Sequence, residues 1–204
     1  MNLKNYYWWF DSIIPSRVCD EIVKYGVSQN SRLGITGDFK DSKELTKEQE
    51  NNLKKMRDSN VAFLMEPWIF KEIHPFINAA NHNAGWNFQW SDTEACQFTK
   101  YGLNQHYGWH CDSWKEPYEK PQWRKGLIRK LSMTLCLSDS KDYEGGELEF
   151  DFRSEETTKI VTCKEIKNKG SIVVFPSFVW HRVKPVTKGI RYSLVAWNLG
   201  KPYI

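Results

Sequence analysis

Gly170–Gly200 reads "GSIVVFPSFVWHRVKPVTKGIRYSLVAWNLG", and the texture of this stretch decides the fold. Its runs "SIVVFPS", "VWHRVKPV" and "RYSLVAWNL" are short and rich in β-branched and aromatic residues. Proline and glycine separate them, which is the pattern of strands rather than of a helical repeat. The turn "KPVTKG" predicts that "VWHRV" and "RYSLVAW" pair as a hairpin. Two residues interrupt the apolar pattern. His181 follows an apolar run, and a buried imidazole costs desolvation unless it has a partner. Arg191 opens the last run, ten residues later. Taken singly, a satisfied core histidine and an exposed strand arginine are the ordinary readings.

Upstream the same texture reaches back to Trp86. Further candidate strands are "WNFQW", "EACQFTKY", "YGWHCDSW", "KLSMTLCLS", "GELEFDF" and "KIVTCKEI". About eight short strands divided by Gly, Asn, Asp and Pro turns predict a mainly β fold of jelly-roll or barrel type. Strand–helix–strand alternation is missing, which disfavours a Rossmann-type sheet. The first 85 residues look helical instead. Pro15 opens and Gly26 closes a short helix with Val18, Ile22 and Val23 on its apolar face. Thr46 and Gln49 predict a capping box for a polar helix running to about Met56. Pro67 starts a third helix, with Phe70, Ile73 and Ile77 at helical spacing and Gly85 beyond its end. "SQNSRLGITGDFKDSK" between the first two reads as a loop or a lid-like excursion. No repeat or linker divides the chain. Residues 1–204 are therefore expected to form one domain, with a helical support region (1–85) and a jelly-roll core (86–204).

A chain of 204 residues can bury a core without staples. The 10 Trp, 9 Tyr and 11 Phe suit an aromatic-rich β core, or in part an aromatic-lined substrate groove. A net charge of +4 permits an acidic or nucleic-acid partner without arguing for one. Cys19, Cys96, Cys111, Cys136 and Cys163 are odd in number and form no C-x-x-C. A reduced cytosolic protein fits them better than a disulfide framework or a zinc ribbon. The opening "MNLKNYYWWFD" has no apolar run long enough for a signal peptide, and no stretch approaches a membrane span. The expectation is a soluble cytoplasmic protein.

His110 and Asp112 in "YGWHCD" stand two apart in a strand-like run, which projects both side chains from one face. Alone the pair is weak, because five histidines and ten aspartates in this length give roughly 0.25 such pairs by chance. A surface histidine beside a solvated aspartate is common. With His181, however, two histidines and a carboxylate make the set that holds non-heme Fe(II) and leaves coordination positions open. Arg191 can then grip a carboxylate on a bound co-substrate. Among the other histidines, His74 and His82 suit capping or surface roles. His106 is the rival ligand, but residues four apart on a strand reach around one ion less easily than residues two apart.

At these residues the chain resembles the Fe(II)/2-oxoglutarate dioxygenases, specifically their prolyl 4-hydroxylase branch, over roughly Phe98–Leu199. "YGLNQHYGWHCD" is similar to that branch's tyrosine–glycine-rich approach to H-x-D. "RKLSMTLCLSDSKDYEGGELEF" resembles its second strand pair, including Gly-Gly-Glu-Leu after an acidic-aromatic turn. Gly170–Gly200 resembles its closing block, with His, Val, Pro-Val, Gly, Arg, Ser and Trp in family order. The resemblance implies a double-stranded β-helix with supporting N-terminal helices. It implies His110, Asp112 and His181 as iron ligands, and Arg191 as partner of the distal carboxylate of 2-oxoglutarate. Tyr101 and Ser193 match positions that line the same pocket. Fe(II), 2-oxoglutarate and O2 are the implied requirements, with ascorbate as an optional addition. The implied reaction hydroxylates a C–H bond, of a prolyl residue in a peptide or protein, and releases succinate and CO2. Arginine at position 191, where the branch often has lysine, leans toward its oxygen-sensor and bacterial or phage-like subgroups. Cys136 departs from the pattern, standing where related enzymes often place a tyrosine that helps hold the co-substrate. Tyr101 is the candidate to make that hydrogen bond instead.

The substrate is far less legible. "SWKEPYEKPQWRKGLIRK", Ser113–Lys130, follows the ligand pair and is equally a cover for the site's mouth or a solvated connection. Another amino acid or a small molecule is an alternative substrate. Nucleic-acid demethylases of the repair type usually carry a second arginine six residues after the first; here Trp197 stands there, which disfavours that chemistry. A jelly-roll module that binds peptide or DNA without catalysis is disfavoured by the intact ligand set. Oligomeric state is not legible.

Overall fold

The computed structural model describes Leu3 and residues 5–35, 45–113, 116–152 and 159–203. The N-terminal part holds β1 (Trp8–Phe10), α1 (Ser16–Ser28), β2 (Arg32–Leu33), α2 (Lys47–Met56), β3 (Arg57–Asp58), β4 (Asn60–Leu64) and α3 (Pro67–Asn83). Next come β5 (Asp92–Thr93), β6 (Cys96–Tyr101), β7 (His106–His110), β8 (Ile128–Cys136), β9 (Tyr143–Gly145) and β10 (Leu148–Asp151). The chain closes with β11 (Ile160–Thr162), β12 (Ile172–Pro176), β13 (Trp180–Val183), β14 (Val186–Gly189) and β15 (Arg191–Gly200).

The strands form a large antiparallel sheet in the order β1-β12-β8-β15-β6-β4-β2, with β5 on β15. A smaller sheet runs β11-β10-β13-β7-β3, and β14 pairs with β9 alone. Side-chain alternation gives the large sheet two unlike faces. Leu131, Met133, Leu135, Ile172, Val174, Leu194 and Ala196 pack with Ile22 of α1 and Ile69, Ile73 and Ile77 of α3. Each fully buried isoleucine contributes roughly 1.5–3 kcal/mol of transfer free energy. Intervening residues of the same strands point into the protein. There Cys136, Val173 and Phe175 meet Leu148 and Phe150 of the smaller sheet. This is the expected mainly β jelly roll supported by helices, and its site lies between the sheets.

Several expectations hold and several do not. Thr46 and Gln49 bond each other's backbone N–H groups as a capping box, and α2 ends at Met56. Pro67 stands at the start of α3, and Gly85 follows it with φ +75°. Gly26 does not close α1, which continues to Ser28. Its reason is contact: a Cβ there would lie 2.5 Å from the Phe98 ring. The first 85 residues are not purely helical, because β1, β2, β3 and β4 extend both sheets. "WNFQW" is not a strand. Trp86 and Phe88 are core residues of an irregular segment tied by Asn81 to Phe88 and by the Trp86 indole to Asn5. The hairpin expected from "KPVTKG" does not form: β13 belongs to the small sheet and β15 to the large one, with β14 between them. Part of the segment read as a loop holds β2, and residues 36–44 lie outside the described set.

Candidate active site

β13 and β7 lie side by side with His181 opposite His110, and the ring centroids are 4.1 Å apart. Phe150 sits opposite His181 on the other side of β13, and Phe175 packs edge-on at 4.7 Å. Apolar walls therefore surround both imidazoles. A register shift lets Tyr107 pair with Val183 while His110 pairs with His181. The resulting bulge turns Tyr107 to the same side as His110, where the rings stack at 3.5 Å. Arg57 covers that stack, its guanidinium 4.4 Å from the Tyr107 ring.

Asp112 reaches the pair by a different route from the one its spacing predicts. β7 ends at His110, so Asp112 does not share a strand face with it. The backbone N–H groups of Asp112 and Ser113 both donate to the Ser177 carbonyl at 2.9 Å. Ser132 Oγ donates to Asp112 Oδ2 at 2.7 Å and lies 2.9 Å from Ser177 Oγ. These bonds swing the carboxylate back toward both histidines. His110 Nε2 is 3.7 Å from Oδ1 and His181 Nε2 is 3.6 Å from Oδ2. All three donor groups fall within 4.8 Å of one another.

The chemistry of the donors fits a divalent metal. His110 Nδ1 is 2.9 Å from the Gly108 carbonyl and His181 Nδ1 is 3.0 Å from the Val179 carbonyl. A carbonyl only accepts, so each Nδ1 carries the hydrogen and each Nε2 keeps a free lone pair. Burial, helped by His181, pushes His110 down to about 3 and keeps it neutral. For Asp112 burial works the other way, but His181, His110 and Arg129 outweigh it and hold the carboxyl at about 2. Two imidazoles and one carboxylate are the donor set of non-heme Fe(II) sites.

Arg191 lies 1% exposed on β15, in register with Tyr101 of β6, and its guanidinium is 5.6 Å from the Tyr101 ring. Nη1 donates to Ser193 Oγ at 3.3 Å. The Tyr101 hydroxyl, which burial raises, feels Arg191 and Asp112 as well as Arg57. Tyr101 thus connects the arginine to the ligand cluster. The sheets, rather than a hairpin, bring Arg191 and His181 into one interior. Arg191 also lines a cavity of about 560 Å³ with Tyr143, Gly146, Leu148 and Cys163.

His106 takes no part. Its ring nitrogens lie near the carbonyls of Asn104 and Lys55 at 3.1 and 3.2 Å. His74 meets Thr93, and His82 lies in the last turn of α3. Of the segment 113–130, residues 114–115 are outside the described set; within the rest, Tyr118 donates to Glu94 and Arg124 pairs with Asp92. Sequence reading missed Ser132, whose signal was the polar alternation Ser132, Thr134, Cys136 inside an apolar strand. It also missed the Arg129–Glu94 pair, bidentate at 2.6 and 2.8 Å, and the Trp197 ring 4.0 Å beneath Arg129. No local pattern announces those.

The sequence profile of the family described as the 2OG-Fe(II) oxygenase superfamily matches residues 96–198, which include every residue of this cluster. The chain belongs to that superfamily. Curated relatives of this chain include a PKHD-type hydroxylase of Synechococcus sp. (strain CC9902), 40% identical over 45% of this chain and 35% of that protein. Another, from Pseudoalteromonas atlantica, is 36% identical over 50% of this chain and 41% of the relative. The chain thus spans well under half the length of these relatives. Among solved structures, the viral collagen prolyl hydroxylase of Paramecium Bursaria Chlorella virus-1 superposes with a TM-score of 0.60 at 19% identity, covering 97% of both chains. A Trichoplax adhaerens prolyl hydroxylase, solved with a hypoxia inducible factor peptide fragment, gives 0.67 at 17% identity, covering 96% of this chain and 84% of that one. This chain shares their fold.

Proposed function

We propose that His110, Asp112 and His181 hold Fe(II), that Arg191, Tyr101 and Ser193 hold 2-oxoglutarate, and that the protein hydroxylates a prolyl residue of a peptide or protein. The mutual approach of the three donor groups within 4.8 Å, each histidine with its Nε2 free, carries this reading. When bound, Fe(II) with 2-oxoglutarate and O2 supplies the oxidation, releasing succinate and CO2. The chain's part is to orient the donors, hold the co-substrate's distal carboxylate on Arg191, and exclude water with Phe150 and Phe175. A peptide substrate is favoured by the fold shared with a prolyl hydroxylase that was solved with a peptide. Trp197 lies under Arg129, in the place where a demethylase would need an arginine, which argues against nucleic acid. Cys19, Cys96, Cys136 and Cys163 are free thiols, in keeping with a reducing cytoplasmic setting. Among the described residues no helix is long and apolar enough to cross a membrane.

The test is incubation with Fe(II), 2-oxoglutarate and proline-containing peptides, with and without ascorbate. Succinate release is followed together with a gain of one oxygen on the peptide by mass spectrometry. Wild-type protein that binds no metal and makes no succinate would sink the oxygenase reading and leave the binding module. Modification of free amino acids or nucleobases alone would sink the prolyl assignment.

A further inference from the structure

Arg191 has no carboxylate partner among the described residues, and it lines the cavity of about 560 Å³. Tyr143 of β9 brings a hydroxyl to the same place. Close packing holds that strand there. β9 pairs with β14 in register Gly189 to Tyr143, so tightly that a Cβ at Gly189 would lie 2.0 Å from the Asp142 carbonyl oxygen. A Cβ at Gly146 would strike Arg191 Cδ at 2.8 Å, so the strand end lies directly against the arginine. The Tyr143 hydroxyl is buried, 3.9 Å from Cys136 Sγ. Burial pushes it up to about 12 while Arg191 pulls the other way, so at neutral pH it is a protonated donor beside a cation.

We propose that the Tyr143 hydroxyl is a further donor, beside Arg191, for the distal carboxylate of 2-oxoglutarate, and that Cys136 is small so that this hydroxyl reaches the pocket. The inference rests on reading Arg191 as that carboxylate's partner. A carboxylate accepts at about four lone-pair sites, and a guanidinium fork fills two of them. Tyr101 offers Arg191 its ring, and Ser193 is already engaged with Nη1. Tyr143 lines the same cavity from β9, where its hydroxyl adds a hydrogen bond that the arginine leaves open.

Calorimetric binding of 2-oxoglutarate to the Mn(II)-loaded protein, without O2, tests this. Tyr143→Phe should weaken 2-oxoglutarate about ten-fold and leave 2-oxobutanoate, which lacks the distal carboxylate, unchanged. Cys136→Phe, which fills the space beside the hydroxyl, should weaken 2-oxoglutarate likewise; an unchanged affinity there overturns the role given to Cys136. Tyr143→Phe that binds 2-oxoglutarate like wild type overturns the proposal, as does equal weakening of both ligands, the mark of a packing residue. Tyr143→Met is read in the same way if the Phe variant does not fold. Arg191→Met separates the two layers. If it leaves 2-oxoglutarate binding intact, the reading of Arg191 fails; if it abolishes binding while Tyr143→Phe does nothing, only the tyrosine's role is lost.

Discussion

At the ligand end of the interior, every donor already has its supporting partner: Gly108 and Val179 for the imidazoles, Ser132 for the carboxylate. At the arginine end, Arg191 has a long bond to Ser193, the Tyr143 hydroxyl against it and an open cavity beside it. Under the proposed function, the difference follows from what each end would hold. A metal ion has no shape of its own and binds well only where donors are fixed beforehand, which is the work of their outer hydrogen bonds. A dicarboxylate brings its own acceptors, so the protein needs only to leave donors unspent. Damage at the first end should therefore be close to all-or-none, and damage at the second end should be graded.

The strongest way to break that comparison is at the ligands. His181→Ala and Asp112→Ala should each cost more than the 10- to 100-fold in metal affinity typical of removing an outer partner. Wild-type protein should melt at a higher temperature when Mn(II) is added, and neither variant should respond. Succinate formation should vanish in both. A variant that kept metal-dependent turnover would show that the cluster is not the metal site.

Next in size is Arg191→Met, which removes the proposed partner of the co-substrate's distal carboxylate. A loss on the order of a hundred-fold in 2-oxoglutarate affinity is expected, with metal affinity unchanged. Arg191→Lys keeps the charge without the planar fork and should fall between the two. If Arg191→Met weakened metal binding as much as 2-oxoglutarate binding, the two ends would not be separable.

Ser132→Ala sharpens the picture at the first end. Asp112 would lose the 2.7 Å bond that orients its Oδ2, and metal affinity should fall by about ten-fold. With metal at saturation, 2-oxoglutarate should bind as in wild type. Titration of both ligands into the same preparation measures the two effects side by side.

These residues differ in how readable they are. His110, Asp112, His181 and Arg191 stand out because few side chains can bind a metal or clamp a carboxylate, and their order along the chain matches a known pattern. Ser132 is half-legible, since a polar residue alternating within "KLSMTLCLS" marks a strand with one polar face. Asp112 was found for a reason that the fold does not use: the spacing suggested a shared strand face, whereas the Ser177 carbonyl and Ser132 position it from a turn. "KPVTKG" reports turns but not which strands they join, so the split of β13 and β15 between sheets was out of reach. Gly26 looked like a helix stop because its actual neighbour, the Phe98 ring, comes from far along the chain. Arg57–Leu64 was too short between two helices to read as strands, and Arg57 was missed with it. Local rules carry elements and chemistry; they do not carry contacts made across the chain.

Gly146 tests the arginine end most gently. It sits at φ +66°, a region that costs a residue with a Cβ about 1–2 kcal/mol. An added methyl would also meet Arg191 Cδ at 2.8 Å and Val186 Cγ2 at 3.0 Å. Arg191 Cδ belongs to a flexible side chain that can yield, and its yielding moves the guanidinium relative to the cavity. Gly146→Ala should therefore lower stability by about 1–2 kcal/mol in a chemical denaturation curve and weaken 2-oxoglutarate by a few-fold. Metal affinity should stay at the wild-type value, because the nearest atoms to the added methyl belong to Arg191 and Val186, neither of which bonds His110, Asp112 or His181. Equal losses of metal and 2-oxoglutarate binding would mean that the ends share one rigid frame, and the contrast between a finished site and an open one would fall.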